Sequence, residues 1–276
     1  MVYEEAKKIF KEGSTTYFYS SLFFPKNVRE DVFRLYAFVR TADDFVDKKP
    51  PEKENFTTFK QKTLRALDGE DVDNKIIKGF YKISKKHDFK KQWIKAFLEA
   101  MEKDLHKKTY DTIDETKQYM YGSAEVIGLF LSRIMDLDKA YDEQAKMLGR
   151  SMQYINFIRD INEDLRLGRR YIPTDVLESH DLESLEEDHT RQHPEEFKEM
   201  MRDEIRRYKR WKRQAEEGYE AIPHSYLVPI KTASDMYSWT ADQIKEDPFI
   251  IYEEKIKPSK YRICKQIMMN KMRDII

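Results

Sequence analysis

Apolar residues recur at steps of three and four along most of this chain, and no convincing run of short alternating strands interrupts them. Residues 3–12 read as a short helix ending at Gly13, and residues 14–21 as a polar and aromatic lead into the next one. Pro25 opens that next helix, in which Val32, Tyr36 and Val39 mark one face, and Lys48-Lys49-Pro50-Pro51 stops it. Further helical patterns cover residues 54–68, 73–86 and 90–107. The segment 115–135 is the most apolar, and Gly122, Ser123, Ala124 and Gly128 place small residues on it at helical intervals. Such residues permit either close helix packing or room for a ligand chain. A helical pattern over 139–166 gives way at Gly168, residues 178–195 read as a polar connector, and another helical stretch follows. The pattern predicts an all-α chain.

Two places depart from the apolar rhythm without leaving it. The stripe through Val32, Tyr36 and Val39 continues into Asp43 and Asp47, so these aspartates are expected to face inward. Gln153, Asn156, Asp160 and Asp164 form a polar stripe at the same spacing, beside apolar Met152, Ile155 and Ile158. Residues four apart on a helix rise by only about 6 Å, so each pair of carboxylates can serve one small volume. Each pair also lies next to an arginine, Arg40 in the first motif and Arg159 in the second.

Buried carboxylates without partners repel one another and take up protons. Magnesium prefers hard oxygen ligands and commonly bridges carboxylates to phosphate oxygens. Asp43, Asp47, Asp160 and Asp164 are therefore the candidate ligands for Mg2+, with Mn2+ as the alternative ion and a diphosphate as the bound anion. One acidic pair would be weak evidence, because Asp138 and Asp142 share the spacing and lack the companions. Two pairs, each beside an arginine, carry the reading. Gln153 and Asn156 lie on the face of Asp160, where they could orient ligands or bond to a neighbouring helix.

Composition narrows the remaining classes. The chain has 276 residues, long enough for a sizeable core, and the 8 Gly and 9 Pro form no linker, so residues 1–276 are expected to make one domain. Lys and Arg total 51 and Asp and Glu 51, a balance that provides no global attraction to nucleic acid or to an anionic membrane. The basic and aromatic run Arg206–Arg213 is crowded by acids on both sides and reads as a solvated helix. The single cysteine, Cys264, excludes an internal disulfide, fits a reducing cytoplasm, and reads as a small apolar residue. None of the six histidines has metal-ligand spacing. The first residues show no basic region followed by an apolar core, and no stretch reaches bilayer length. A cytoplasmic protein is expected, soluble or at most peripheral at a membrane, with its oligomeric state left open.

The motifs together resemble the squalene and phytoene synthase family of head-to-head prenyl synthases, over most of the chain. Tyr36-Ala37-Phe38-Val39-Arg40 leading into Asp43–Asp47 is similar to that family's first aspartate-rich motif. Arg159-Asp160-Ile161-Asn162-Glu163-Asp164, then Gly168-Arg169 and Tyr171-Ile172-Pro173, is similar to its second. The segment Tyr119–Gly128 resembles the small-residue helix that lines the family's prenyl pocket, and Ser14-Thr15-Thr16-Tyr17 its diphosphate-contacting flap, with Thr15 where the family has lysine.

The resemblance implies an isoprenoid synthase helical fold around a central cavity. It implies catalytic roles for Asp43, Asp47, Asp160, Asp164, Arg40, Arg159 and the late Tyr237. Substrate contacts are implied for Ser14, Thr16, Tyr17, Tyr36, Tyr119, Ser123, Ala124, Gly128, Gln153 and Asn156. Lys255, Lys260 and Arg262 lie in a basic segment that would help neutralise diphosphate, with the matching residue among the three left open. The implied reaction joins two identical prenyl diphosphates through a cyclopropyl diphosphate.

The expected reaction converts two geranylgeranyl diphosphates to phytoene without NADPH. The Gly122–Gly128 segment looks more like phytoene synthases, and the chain lacks the C-terminal membrane helix common in eukaryotic squalene synthases. The alternatives are a dehydrosqualene or squalene synthase using farnesyl diphosphate, a class I terpene cyclase or a chain-elongating prenyltransferase. The second acidic motif has neither the doubled aspartate usual in chain elongators nor the Asn/Ser/Glu spacing of cyclases. A non-enzymatic helical scaffold ranks last, since it leaves the inward acids unexplained.

Overall fold

A computed structural model describes residues 2–272; Met1 and residues 273–276 lie outside it. The described residues are helical throughout, with a single isolated bridge between Thr109 and Arg170. In chain order the helices are α1 (Val2–Gly13), α2 (Thr15–Ser21), α3 (Lys26–Asp47), α4 (Lys53–Leu67), α5 (Lys75–Lys86), α6 (Lys91–Asp104), α7 (Ile113–Met120) and α8 (Val126–Ile134). There follow α9 (Asp142–Arg159), α10 (Ile161–Arg166), α11 (Thr174–Glu178), α12 (Glu187–Gln192), α13 (Pro194–Glu216), α14 (His224–Glu246), α15 (Ile250–Glu253) and α16 (Lys260–Met272).

Helix α9 is central, with α13, α8 and α14 packed around it, while α3 packs on α1, α4, α5 and α6. Aromatic rings fill the space between α3, α5 and α6: Phe38 stacks on Phe80 with centroids 3.7 Å apart and lies 5.7 Å from Phe97. Buried polar links tie helices together in both regions. Asp31 on α3 is 3% exposed and accepts hydrogen bonds from Arg34 at 2.7 Å and Lys86 at 2.6 Å, with His87 at 2.9 Å. Glu204 on α13 takes the hydroxyl of Tyr154 on α9 and a bond from Arg207 at 3.0 Å.

The expected all-α architecture holds, with four local differences. Residues 14–21 form a helix, because Ser14 caps α2 by accepting from the Tyr17 amide at 3.3 Å. The segment 115–135 divides into α7 and α8 around a π-turn at Tyr121–Glu125. The span 139–166 is interrupted at Asp160, whose φ of −97° and ψ of 14° end α9, and α10 follows. The connector at 178–195 contains the short helix α12.

The small residues of the Tyr119–Gly128 segment meet both of the demands left open in the sequence. A Cβ at Gly122 would lie 2.3 Å from the Ala96 carbonyl of α6, and one at Gly128 would lie 2.1 Å from the Ala145 carbonyl of α9. Both glycines therefore let backbones touch. Gly128 and Ala124 also border an apolar chamber. Cys264, read as an apolar residue, is exposed, because its helix turns the opposite face inward.

Candidate active site

Two chambers meet inside the bundle. The larger, about 550 Å³, is lined by acids and bases from α3, α9, α10 and the loops beside them. The smaller, about 240 Å³, is walled by apolar side chains, among them Phe24, Leu35, Leu131, Met135 and Ile230. Tyr17, Tyr36, Val39, Ser123, Gln153 and Asn156 line both and form the junction between them. The π-turn brings Ser123 there; such turns recur at functional sites because the extra residue re-aims side chains. The Ser123 Oγ and Asn156 Oδ1 atoms are buried at this junction without a hydrogen-bond partner in the protein.

Both acidic motifs reach the polar chamber, as their stripes predict. Asp43 and Asp47 line it from α3, one turn apart, and Asp160 and Asp164 line it from the α9–α10 break. The break keeps their spacing: the Asp160 amide donates to the Asn156 carbonyl and the Asp164 amide to the Asp160 carbonyl, each at 2.8 Å. Burial and the charge of Asp47 push the Asp43 carboxyl up to about 8, against the pull of Arg40. Burial and Asp160 push Asp164 up to about 8 as well. About a third of the Asp43 side chain is exposed, so it faces open space while protein surrounds that space.

Arginines hold three of these acids. Arg40 donates to Asp43 at 2.9 Å and pairs with Asp44 at 2.7 Å, while Arg159 chelates Asp160 at 2.7 and 2.5 Å. Asp47 pairs at 2.5 Å with Arg169, which comes from the loop after α10 and is 5% exposed. Arg169 belongs to the second sequence motif but lies off its acidic stripe, so spacing alone does not mark it as a site residue. Its Nε and Nη1 atoms are buried without hydrogen-bond partners, with Nη1 3.9 Å from Asp104.

Asp104 is a site residue that sequence reasoning missed. It lies at the end of α6, 3% exposed, and accepts from the hydroxyls of Tyr119 at 2.6 Å and Tyr171 at 2.8 Å. Burial pushes its carboxyl up to about 6, although the two tyrosine hydrogen bonds and Arg169 oppose the rise. An acid at the end of a helical pattern carries no spacing signal, and its partners are 15 and 67 residues away.

Most other predicted residues line a chamber. Ser14, Thr16, Tyr17 and Tyr237 flank the polar one, and the Tyr17 and Tyr237 rings lie 5.6 Å apart. Tyr119 faces the polar chamber, and Ala124 and Gly128 only the apolar one. Of the three C-terminal bases, Lys255 lines the polar chamber and bonds to Glu163, and Lys257 joins it there. Lys260 and Arg262 line neither chamber: the Lys260 ammonium lies over the Tyr19 ring at 5.2 Å and the Arg262 guanidinium over Trp239 at 4.5 Å. Their helix, α16, packs on the outside of α2 and α14, which separates them from the cavity.

The donor set suits a hard divalent cation. The charges of Asp47, Asp104 and Asp160 add to the rise of the Asp43 or Asp164 carboxyls, a surplus of negative charge that a cation relieves. As placed, no three His, Cys, Asp or Glu side chains among the described residues stand close enough to hold an ion. Arg40, Arg159 and Arg169 each pair with at least one of the acids in this chamber wall.

Comparison with known proteins bears on the family and the fold. The sequence profile described as squalene/phytoene synthase matches residues 10–262. A 15-cis-phytoene synthase of Paracoccus sp. is 29% identical over 177 residues, a stretch covering 60% of this chain but only 58% of that relative's length. A 15-cis-phytoene synthase of Synechococcus elongatus is 22% identical over 279 residues, covering 95% of this chain and 90% of that one. Among solved structures, a dehydrosqualene synthase in complex with ligand has a TM-score of 0.89 at 18% identity, covering 99% of this chain and 96% of that one, a likeness of fold.

Proposed function

The chain belongs to the squalene/phytoene synthase family, and we propose that it condenses two prenyl diphosphates head to head, taking two geranylgeranyl diphosphates to phytoene. One observation carries the reading: a chamber of carboxylates and arginines opens, through a short polar junction, into a chamber walled by hydrocarbon. That division matches a substrate with a diphosphate at one end and a long apolar chain at the other.

Asp43, Asp47, Asp160 and Asp164 would hold Mg2+, which when bound supplies positive charge against a departing diphosphate. Arg40, Arg159 and Arg169 add fixed, always-protonated charge around the same anion. Lys255 and Lys257 extend that charge along the chamber wall. The allylic cation left behind is attacked by the double bond of the second substrate, and loss of a proton from the resulting cation closes the ring of a cyclopropyl diphosphate, whose own ionisation leads to product. The apolar walls exclude water from those cations, and the junction residues Gln153, Asn156 and Ser123 fix the boundary between head and tail. In the absence of a reduced nicotinamide the last cation loses a proton, leaving a central double bond.

Incubation of the protein with Mg2+ and either C15 or C20 diphosphate, with and without NADPH, followed by mass analysis of the products, tests the proposal. Phytoene from the C20 substrate, independent of NADPH, is the expected result. Squalene formed only with NADPH would move the assignment to squalene synthesis, and no release of diphosphate from any substrate would overturn it.

A further inference from the structure

Three successive side chains of the π-turn at Tyr121–Glu125 have three different surroundings. Ser123 reaches the junction of the two chambers, Ala124 borders the apolar one, and Glu125 lines neither. Glu125 is 2% exposed, and its carboxylate accepts a hydrogen bond at 2.7 Å from Nε of Arg150 on α9. The Arg150 guanidinium lies 5.4 Å over the ring of Trp211 on α13, and that ring meets Tyr154 edge-on with centroids 4.9 Å apart. A buried carboxylate is costly to keep without a partner, and Arg150 supplies one through a charge-assisted bond. Arg150 also lines neither chamber, so the pair stands behind the site rather than in it.

The pair joins two walls of the junction. Ser123 stands two residues before Glu125 on the turn, Gln153 and Asn156 stand three and six residues after Arg150 on α9, and all three line both chambers. Close packing brings the same two elements together, since a Cβ at Gly149 would lie 2.3 Å from the Ala124 carbonyl. Packing of bare backbone sets how near the turn lies to α9 but has little direction, whereas a charge-assisted hydrogen bond prefers a straight N–H···O line. Direction matters, because a π-turn is a rare conformation that competes with ordinary α-helix. In it the Val126 amide donates to the Tyr121 carbonyl, five residues back. Relaxation to α-helix would turn Glu125 relative to α9 and break the pair, so the pair favours the π-turn.

We propose that Glu125 and Arg150 are positioning residues: their bond holds the π-turn against α9 and thereby fixes the width of the junction through which a prenyl chain passes between the chambers. The junction decides where the reacting carbon stops, because the diphosphate is anchored on one side of it and the hydrocarbon tail lies on the other. A misplacement of about 1 Å, even one caused far from the chemistry, costs about a hundredfold in rate. Buried ion pairs add little net stability over apolar residues of similar volume, so the pair's use lies in its direction rather than its strength. The effect on turnover rests on the reaction proposed above; the hold on the turn does not.

Two variants separate positioning from packing. Arg150→Met leaves the Glu125 carboxylate buried without its cation and should lower the melting temperature. Adding Glu125→Leu removes that charge and keeps apolar volume, so the paired variant should regain wild-type stability. Hydrogen exchange read by mass spectrometry, without substrate or metal, should nevertheless show the amides of 121–126 exchanging about tenfold faster than wild type in both variants, with α5 unchanged. With Mg2+ and C20 diphosphate the paired variant should lose about tenfold in kcat at nearly constant KM, since the wall of carboxylates and arginines is intact. Wild-type exchange or wild-type kcat in the stable paired variant would reduce the pair to packing and overturn the proposal, as would faster exchange spread evenly over the chain. Arg150→Lys covers a paired variant that fails to fold: it keeps a cation beside Glu125 but loses the planar donor, and exchange at 121–126 equal to wild type would again overturn the proposal. A wild-type protein that turns over no prenyl diphosphate would overturn the reaction proposed above, and the exchange result would still decide the role of the pair.

Discussion

The two acidic motifs share a spacing and differ in how the backbone carries it. The first runs through the uninterrupted helix α3, where Arg40 ties down Asp43 and Asp44 from one turn earlier. The second spans a helix break, with Arg159 folded onto the adjacent Asp160 and, among the described residues, no arginine paired with Asp164. The loop after the second motif then returns Arg169 to the first, onto Asp47. Equal spacing therefore produces one motif locked by cations from both sides and one held at a single end. The acids of both motifs reach the same chamber, but their freedom to accept a cation is unequal.

The largest effect tests what the motifs have in common. Asp43→Asn and Asp160→Asn should each reduce turnover at saturating Mg2+ by at least about a hundredfold while leaving the helical circular dichroism unchanged. Activity retained in either variant would separate the two motifs and remove that one from the ion site.

Replacing the arginine that joins them is expected to act on both function and stability. Arg169→Gln leaves Asp47 without its cation and Asp104 without its nearest positive charge, inside a buried network. Thermal or urea unfolding should show a loss of about 1–2 kcal/mol, because Arg169 is buried while about a third of the Asp47 side chain is exposed to screening, with turnover falling as well. A variant as stable as the wild type would mean that Arg169 is held by the loop alone and contributes charge only.

A more local effect distinguishes packing from cavity in the Tyr119–Gly128 segment. Gly128→Ala should cost about 1–3 kcal/mol, because its Cβ would collide with the α9 backbone. Ala124→Phe should instead shorten or block the apolar chamber, seen as lower yield or shorter product in a folded protein. Unchanged product from folded Ala124→Phe would take this residue out of the chamber wall.

The smallest effect is in pH dependence, where site acids and a structural acid should move in opposite directions. Asp43 and Asp164 are raised to about 8, so in metal-free protein their ionisation is disfavoured in the fold, and stability should fall as pH rises from about 4 to 8. Asp31 is the reverse: burial alone would raise it, but hydrogen bonds from Lys86 and His87 outweigh burial and hold it below the usual carboxylate range. Its stabilisation is present above the unfolded-state value and is lost as pH falls through the lower folded value. Metal-free melting curves should therefore flatten between pH 5 and 8 in Asp43→Asn, with its melting temperature about 3 °C above wild type near pH 8. In Asp31→Asn the acid limb should shrink instead. An Asp43→Asn melting curve parallel to wild type would show that crowding at the first motif carries no penalty.

How much of this was legible beforehand depended on whether the signal was local. The inward direction of Asp43, Asp47, Asp160 and Asp164 could be read because helical periodicity relates residues three and four apart. The ends of α3, at Pro25 and at Lys48-Lys49-Pro50-Pro51, could be read for the same reason. Asp104 could not, because what makes it a site residue is burial beneath one tyrosine from α7 and another from the loop before α11. The Asp160 break preserves the hydrogen bonds of a continuous helix on either side, so periodicity passes through it unchanged. Lys260 and Arg262 read like Lys255, since charge in a sequence does not say that the segment before α16 borders the cavity while α16 itself packs outside α2 and α14.

The π-turn at Tyr121–Glu125 acts as a phase shifter. An α-helix advances about 100° per residue, so one surplus residue rotates everything after it by that angle relative to everything before. With the shift in place, Tyr119 points its hydroxyl at Asp104 while Gly128 lies flush against α9. Removing a single residue between 121 and 125 would restore an unbroken helix, and only one of those two orientations could survive. The head-group end and the hydrocarbon end of the site are thus kept in angular register by one amino acid.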